Sequence, residues 1–153
     1  MRIAIGCDHG GFLLKETVVN ELEKLGHTVI DCGASAFERG DDYPDFARAV
    51  GIALLQGKAE RGIAICGSGI GMSIAANKLR GIRAGVCHDT YSARQGVEHD
   101  DMNVLCLGAL VVGVALAKEL VRAFLAARYA AAPQFQRRLE KIIQMEETEA
   151  SDE

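Results

Sequence analysis

Short apolar runs rich in β-branched residues alternate with longer stretches of helical spacing along nearly the whole chain, and this alternation restricts the fold most. The runs are Ile3–Ile5, Thr28–Asp31, Gly62–Ile65, Ile82–Val86 and Val104–Leu107. Strands this short, apolar on both faces, suit a parallel sheet covered by helices on each side. Between and after them lie helical patterns at Phe12–Leu25, Phe46–Gln56, Met72–Lys78, Ser92–Val97 and Val114–Tyr129. In the first, Leu13, Val18, Leu22 and Leu25 recur at helical spacing and Gly26 supplies a stop. The order predicts one α/β domain over 1–145, Rossmann-like and doubly wound: a five-stranded parallel sheet with helices on both faces. An extra amphipathic helix follows Pro133, from about Gln134 to Met145. It suits packing on a partner subunit and on its own domain equally well. Residues 146–153 are acidic and polar and read as a disordered tail.

The chain of 153 residues carries a net charge of −4. No basic stripe is available to neutralise phosphates, which argues against a nucleic-acid partner. The longest nearly apolar run, Leu105 to Ala117, is shorter than the roughly 20 residues a membrane span needs, so no membrane association is expected. The first apolar stretch is interrupted by Gly6 and Asp8 and does not read as a signal peptide. Five cysteines, an odd number with no such segment, fit a reducing, cytoplasmic compartment. No CxxC pair is present, so no structural zinc site is expected.

In open α/β sheets ligands bind beyond the carboxyl ends of the strands. That rule gathers Asp8 and His9 after the first strand with Cys66 and Ser68 after the third. Gly67, Ser68, Gly69, Ile70 and Gly71 form a strand-to-helix loop whose N–H groups make an anion cradle. Met72 stands where a dinucleotide fingerprint needs glycine, and no Gly-Lys-Ser/Thr triplet occurs, so no nucleotide cofactor is expected. A thiol at a helix N-terminus can have its pKa lowered from about 8.5 into the range of about 3.5 to 7.5, which would make Cys66 a usable base or nucleophile. Cys7, Cys32, Cys87 and Cys106 read as small buried apolar residues. His99, in Glu98-His99-Asp100-Asp101 before the fifth strand, is a candidate acid/base. His27 reads as a surface residue, and His88 could face the rim but has no evident partner. In Asp41-Asp42-Tyr43-Pro44-Asp45, Tyr43 could reach a ligand hydroxyl, while Asp41 and Asp42 read as solvated. Removing a carbon-bound proton needs a base with charge building on a nearby oxygen. A thiolate beside a row of N–H donors meets both needs.

These pieces in this order resemble the ribose-5-phosphate isomerase B family, which includes the galactose-6-phosphate isomerase subunits. The matching segments are Gly6-Cys7-Asp8-His9-Gly10-Gly11-Phe12, Asp42-Tyr43-Pro44, Ile65 to Gly71, Ser73 to Lys78 and Gly81-Ile82-Arg83-Ala84, with His99 and Asn103-Val104-Leu105 in place. The resemblance implies metal- and cofactor-free aldose–ketose isomerisation through a cis-enediolate. Cys66 would move the proton, His99 would open the sugar ring, and Ser68 with the Gly67–Gly71 amides would hold the oxyanion. Asp8 would bind sugar hydroxyls, Tyr43 would line the pocket, and His9 and Arg137 would meet the phosphate. Homodimers or homotetramers with sites shared between subunits are implied as well. Three departures bear on the substrate. Asp100 stands where many members have Asn, and its carboxylate would repel a phosphate or alter the hydrogen bond to a sugar oxygen, while Leu110 and Pro133 replace arginines that contact phosphate in the family. Arg137 remains, with Arg138 or Arg83 as possible helpers. Three readings follow: ribose 5-phosphate isomerisation, the same chemistry on another sugar with or without phosphate, and a sugar-binding module without catalysis.

Overall fold

Ile3, Ile5, Ile63, Ile65, Leu105 and Leu107 pack on one side of a sheet, and Ala4, Ala64, Val104 and Cys106 on the other. Alternate residues of each strand thus feed two separate cores, as strands apolar on both faces require. The computed structural model describes residues 1–149. The strands are β1 (Arg2–Cys7), β2 (Thr28–Asp31), β3 (Arg61–Cys66), β4 (Ala84–Val86) and β5 (Val104–Gly108). All pair in parallel, in the order β2-β1-β3-β5-β4. The helices are α1 (Phe12–Lys24), α2 (Tyr43–Leu55), α3 (Ile70–Ala76), α4 (Thr90–Asp100), α5 (Val114–Ala126) and α6 (Pro133–Glu149).

Residues of α1, α4 and α5 join the large-residue core, and residues of α2 and α3 join the small-residue core. Glycines let α2 approach the sheet closely. A Cβ at Gly62 would lie 2.6 Å from Val50 Cγ1, and one at Gly6 would lie 2.7 Å from Val50 Cγ2. The chain runs from β1 outward to β2, then back across to β3. The direction of winding therefore reverses between β1 and β3, which places the crevice of the switch point beyond Cys7 and Cys66.

Several boundaries differ from the sequence reading, each for a local reason. β4 begins at Ala84 because Ile82 N–H is held by Leu79 and Arg83 N–H donates to Asn103 Oδ1 at 2.8 Å. The fourth helix runs on to Asp100, so His99 and Asp100 sit on its last turn rather than in a loop. Its start is fixed by Asp89, which accepts from Ser92 N–H at 2.7 Å, and its end by Asp101 in the left-handed region at φ 50°. Residues 146–149, read from the sequence as tail, continue α6 instead, where Glu146 accepts from Gly81 N–H at 3.0 Å. Residues 150–153 lie outside the described part.

Candidate active site

Cys66 is the last residue of β3 and is 5% exposed. Its Sγ accepts the N–H of Gly69 at 3.1 Å. Gly69 sits at φ 80°, and a Cβ there would come within 3.0 Å of the Leu107 carbonyl carbon, so the turn that brings its N–H onto the sulfur needs glycine. The Ser68 hydroxyl accepts from Ile70 N–H at 3.2 Å and stays at the surface. Burial holds the other thiols in their neutral form. It pushes Cys87 up to about 11 with help from Asp89, and it raises Cys7, Cys32 and Cys106 as well.

The loop after β1 closes against the loop after β3. Asp8 is buried, and its Oδ1 accepts from Gly11 N–H at 3.1 Å. A Cβ at Gly10 would lie 2.9 Å from Gly67 N and 3.2 Å from Asp8 Oδ1. Tyr43, the first residue of α2, lays its ring against Gly71, where a Cβ would meet Cε2 at 2.7 Å. On the far side of the loop, Leu110 donates its N–H to Gly67 O at 3.0 Å and leaves its side chain 88% exposed. Asp8, His9, Tyr43, Cys66, Ser68 and the glycine loop thus share one rim.

Two rim residues have partners that the sequence did not disclose. Asp41 is not solvated: its side chain is 11% exposed, and Oδ1 accepts from His9 Nδ1 at 2.6 Å and from His9 N–H at 3.0 Å. This fixes the His9 ring with Nδ1 toward the carboxylate. Asp41 Oδ2 is buried with no partner among the described residues, and Asp41 is one of the residues that line a cavity of about 210 Å³. Donor atoms of Asp8, His9 and Asp41 lie within 4.8 Å of one another, but the bonds to Gly11 and between His9 and Asp41 already use donors that a cation would need. His88 accepts from Gly108 N–H at 3.2 Å through Nε2. Nothing in the sequence joins Asp41 to His9 or His88 to Gly108, since both pairs meet only through strand order.

His99, Asp100 and Arg137 are elsewhere. Helix α4 leaves the carboxyl end of β4 and ends where β5 begins, so its last turn lies at the amino edge of the sheet. Cys66 is at the carboxyl edge, and the six residues of β3 alone account for about 17 Å at 3.3 Å per residue. His99 stacks on Phe135 of α6, centroids 4.0 Å apart and planes 17° from parallel, and Gln95 Nε2 meets its Nδ1 at 2.8 Å. With the Gln95 amide donating, the neutral ring carries its proton on Nε2. Asp100, next to His99 on α4, and Arg137, two residues past Phe135 on α6, are exposed. Arg83 is engaged by Asp101, with Nη2 2.6 Å from Oδ2 and Nε 2.7 Å from the carbonyl oxygen. One chain therefore holds the Cys66 rim and the His99 face at opposite edges of its sheet.

Comparison with known proteins places the chain in a family. The model of the ribose/galactose isomerase family matches residues 3–142. Ribose-5-phosphate isomerase B of Escherichia coli (strain K12) is 48% identical over 146 residues, covering 95% of this chain and 97% of that one. D-erythrulose-4-phosphate isomerase of Pectobacterium atrosepticum is 44% identical over 129 residues, 84% of this chain and 85% of that one. The structure of ribose-5-phosphate isomerase B from Clostridium thermocellum superposes with a TM-score of 0.93 at 45% identity, covering 97% of this chain and 99% of that one. The chain belongs to the ribose/galactose isomerase family and is an aldose–ketose isomerase of the ribose-5-phosphate isomerase B type.

Proposed function

We propose that the enzyme interconverts ribose 5-phosphate and ribulose 5-phosphate, in a homodimer or homotetramer whose subunits share each site. The observation that carries this reading is the pair of half-sites on opposite edges of one sheet. A rim with a base and an anion cradle lacks the ring-opening histidine, and the face with that histidine lacks the base. A second copy presenting its His99, Asp100 and Arg137 to the Cys66 rim supplies what is missing.

In this reading His99 donates to the ring oxygen and takes the hydroxyl proton as the sugar opens. Cys66, as thiolate, takes the proton from C2, and the bonding pair becomes the C1–C2 double bond while charge moves onto O1. The loop N–H groups and the Ser68 hydroxyl meet that oxygen. The proton on Cys66 returns to C1, the O2 proton passes to O1, and the carbonyl is left at C2. Atoms and electrons balance within the substrate, so the step needs no external oxidant or reductant. Asp8 and Tyr43 hold hydroxyls, and His9 and Arg137 meet the phosphate. Free cysteines at all five positions suit a reducing cytoplasm. Among the described residues no helix is long and apolar enough to cross a membrane.

One observation favours a second reading, the same chemistry on another sugar phosphate. Leu110 overhangs Gly67, which puts an apolar wall beside the cradle. A relative that is 44% identical is named for D-erythrulose 4-phosphate. Incubation with ribose 5-phosphate, D-erythrulose 4-phosphate and free pentoses, followed by product assay, separates the readings. Ribose 5-phosphate must give the highest kcat/KM. A higher value for another sugar moves the assignment to it, and binding without turnover of any sugar defeats both.

A further inference from the structure

A cavity of about 490 Å³ opens at the amino edge of the sheet, beside the starts of β1 and β2, bordered by Met1, Leu25, His27, Arg122, Leu125 and Arg128. It shares no residue with the Cys66 rim or with the His99 face. Cationic groups crowd it. The Met1 amino group is 3.3 Å from His27 Nδ1. Arg128 donates through Nη1 to the carbonyls of Leu125 and Ala127 at 2.8 and 2.9 Å, and Arg61 donates to those of Phe124 and Ala127. These bonds cover the carbonyl end of α5, which would otherwise repel an anion. The nearby carboxylates are already engaged: Glu21, 3% exposed, by Arg122 at 2.7 Å, and Glu60 by Arg2 at 3.5 Å. Among the described residues no carboxylate forms an ion pair with Arg128.

Burial lowers two titrating groups here, and the cationic neighbours add to it. His27 is held below its ordinary value by partial burial, then by the Met1 ammonium and by Arg128, with Glu60 opposing. Arg61 is lowered by burial and by Arg128. In a chain whose net charge is −4, this is a local excess of the opposite sign. The walls add an apolar side, Leu25 and Leu125, next to the charged one. A guanidinium fork beside an imidazole and a second guanidinium matches phosphate better than carboxylate, because the fork can meet two oxygens and a neighbouring donor a third.

We propose that this cavity is a binding site for a phosphate dianion, free or as a monoester of a small apolar or polyol group, separate from the sugar site. The assignment does not depend on the substrate of the isomerase. The test is an NMR titration of the His27 ring in the intact protein, assigned by its loss in His27→Gln, with inorganic phosphate and with glycerol phosphate at constant ionic strength. The His27 signal is expected to move saturably with both and not with sodium chloride. Arg128→Gln is expected to weaken binding at least about fivefold and Arg128→Lys to retain it, while Cys66→Ala binds as the parent does. Tighter binding of glycerol phosphate than of phosphate makes the ligand a monoester. Equal binding makes it the free anion. A His27 signal that follows only ionic strength, or an Arg128→Gln protein that binds as tightly as the parent, overturns the site. If Arg128→Gln fails to fold, the chloride control on the parent protein still decides.

Discussion

Asp41 marks how far single residues can be read from a sequence. Cys66 and the glycines after it were legible because backbone chemistry dictates them: only glycine takes φ 80° at position 69 and brings an N–H onto the sulfur. Asp41 was not, because whether a carboxylate is solvated depends on what folds over it, and here His9 of a different loop does. Two predictions belong at this scale. Cys66→Ala should lower kcat by about 10³-fold or more, since a general base contributes about 10²–10⁴ and burial pushes the other four thiols up. A residual rate within tenfold of the parent, or retained exchange of the C2 proton with deuterated solvent, would identify another base. Asp41→Ala removes the acceptor that orients His9. Loss of a charge-assisted bond worth about 1.5–3 kcal/mol should raise KM for the sugar phosphate about tenfold or more, with kcat within about threefold. The ¹⁵N shifts of His9 should then report mixed tautomers, whereas Asp41→Asn, which keeps the acceptor, should behave nearly as the parent. Unchanged shifts and KM in Asp41→Ala would mean that His9 is positioned by something else.

At the scale of elements the strands were legible and the helix ends were not. Short β-branched runs bounded by glycine leave little choice, so all five strands were placed within about two residues. Helix α4 was expected to stop at Val97 because Glu98-His99-Asp100-Asp101 carries no apolar periodicity. It continues because Asp101 closes it in the left-handed region and Phe135 covers its polar last turn. Neither cause is visible in the local pattern. Close packing of α2 on the sheet, also invisible locally, makes its own prediction. A methyl group at Gly62 would press on Val50 at 2.6 Å and on Val104 at 3.2 Å, both in a fully buried region. Gly62→Ala should therefore cost about 1–3 kcal/mol in urea unfolding, as overpacking does. Val50→Ala in the same chain should recover part of that loss, so the double variant is more stable than the sum of the two singles. Strict additivity would show that the strand, and not the helix contact, governs this position.

For the whole molecule, the two edges of the sheet have different characters. The amino edge on the β1–β2 side gathers arginines around His27, and this gives stability a definite pH dependence. Its folded-state pKa lies below the unfolded value of about 6.5, so below that pH the unfolded chain binds more protons and stability falls with falling pH. His27→Gln should flatten the decline below pH 6.5 and leave stability at pH 8 nearly unchanged, as seen by chemical unfolding. The same edge also carries the His99 face, and one chain cannot bend it round to the carboxyl edge. Family resemblance puts Cys66 and His99 in one mechanism, while the order of the elements keeps them apart within a subunit. If the sites are shared, two inactive proteins must complement each other. Cys66→Ala has a sound His99 face, and His99→Ala has a sound Cys66 rim. In a mixed dimer, one site receives both defects and the other receives neither. Random assortment of equal amounts makes half the dimers mixed, so about a quarter of the sites are intact and activity should return to about a quarter of the parent's. Refolding the two proteins together, followed by assay with ribose 5-phosphate, measures this directly. Separately refolded controls mixed only at the assay should stay inactive if exchange is slow. Failure of the co-refolded sample to exceed either parent variant would mean that each chain completes its own site, against the geometry of α4.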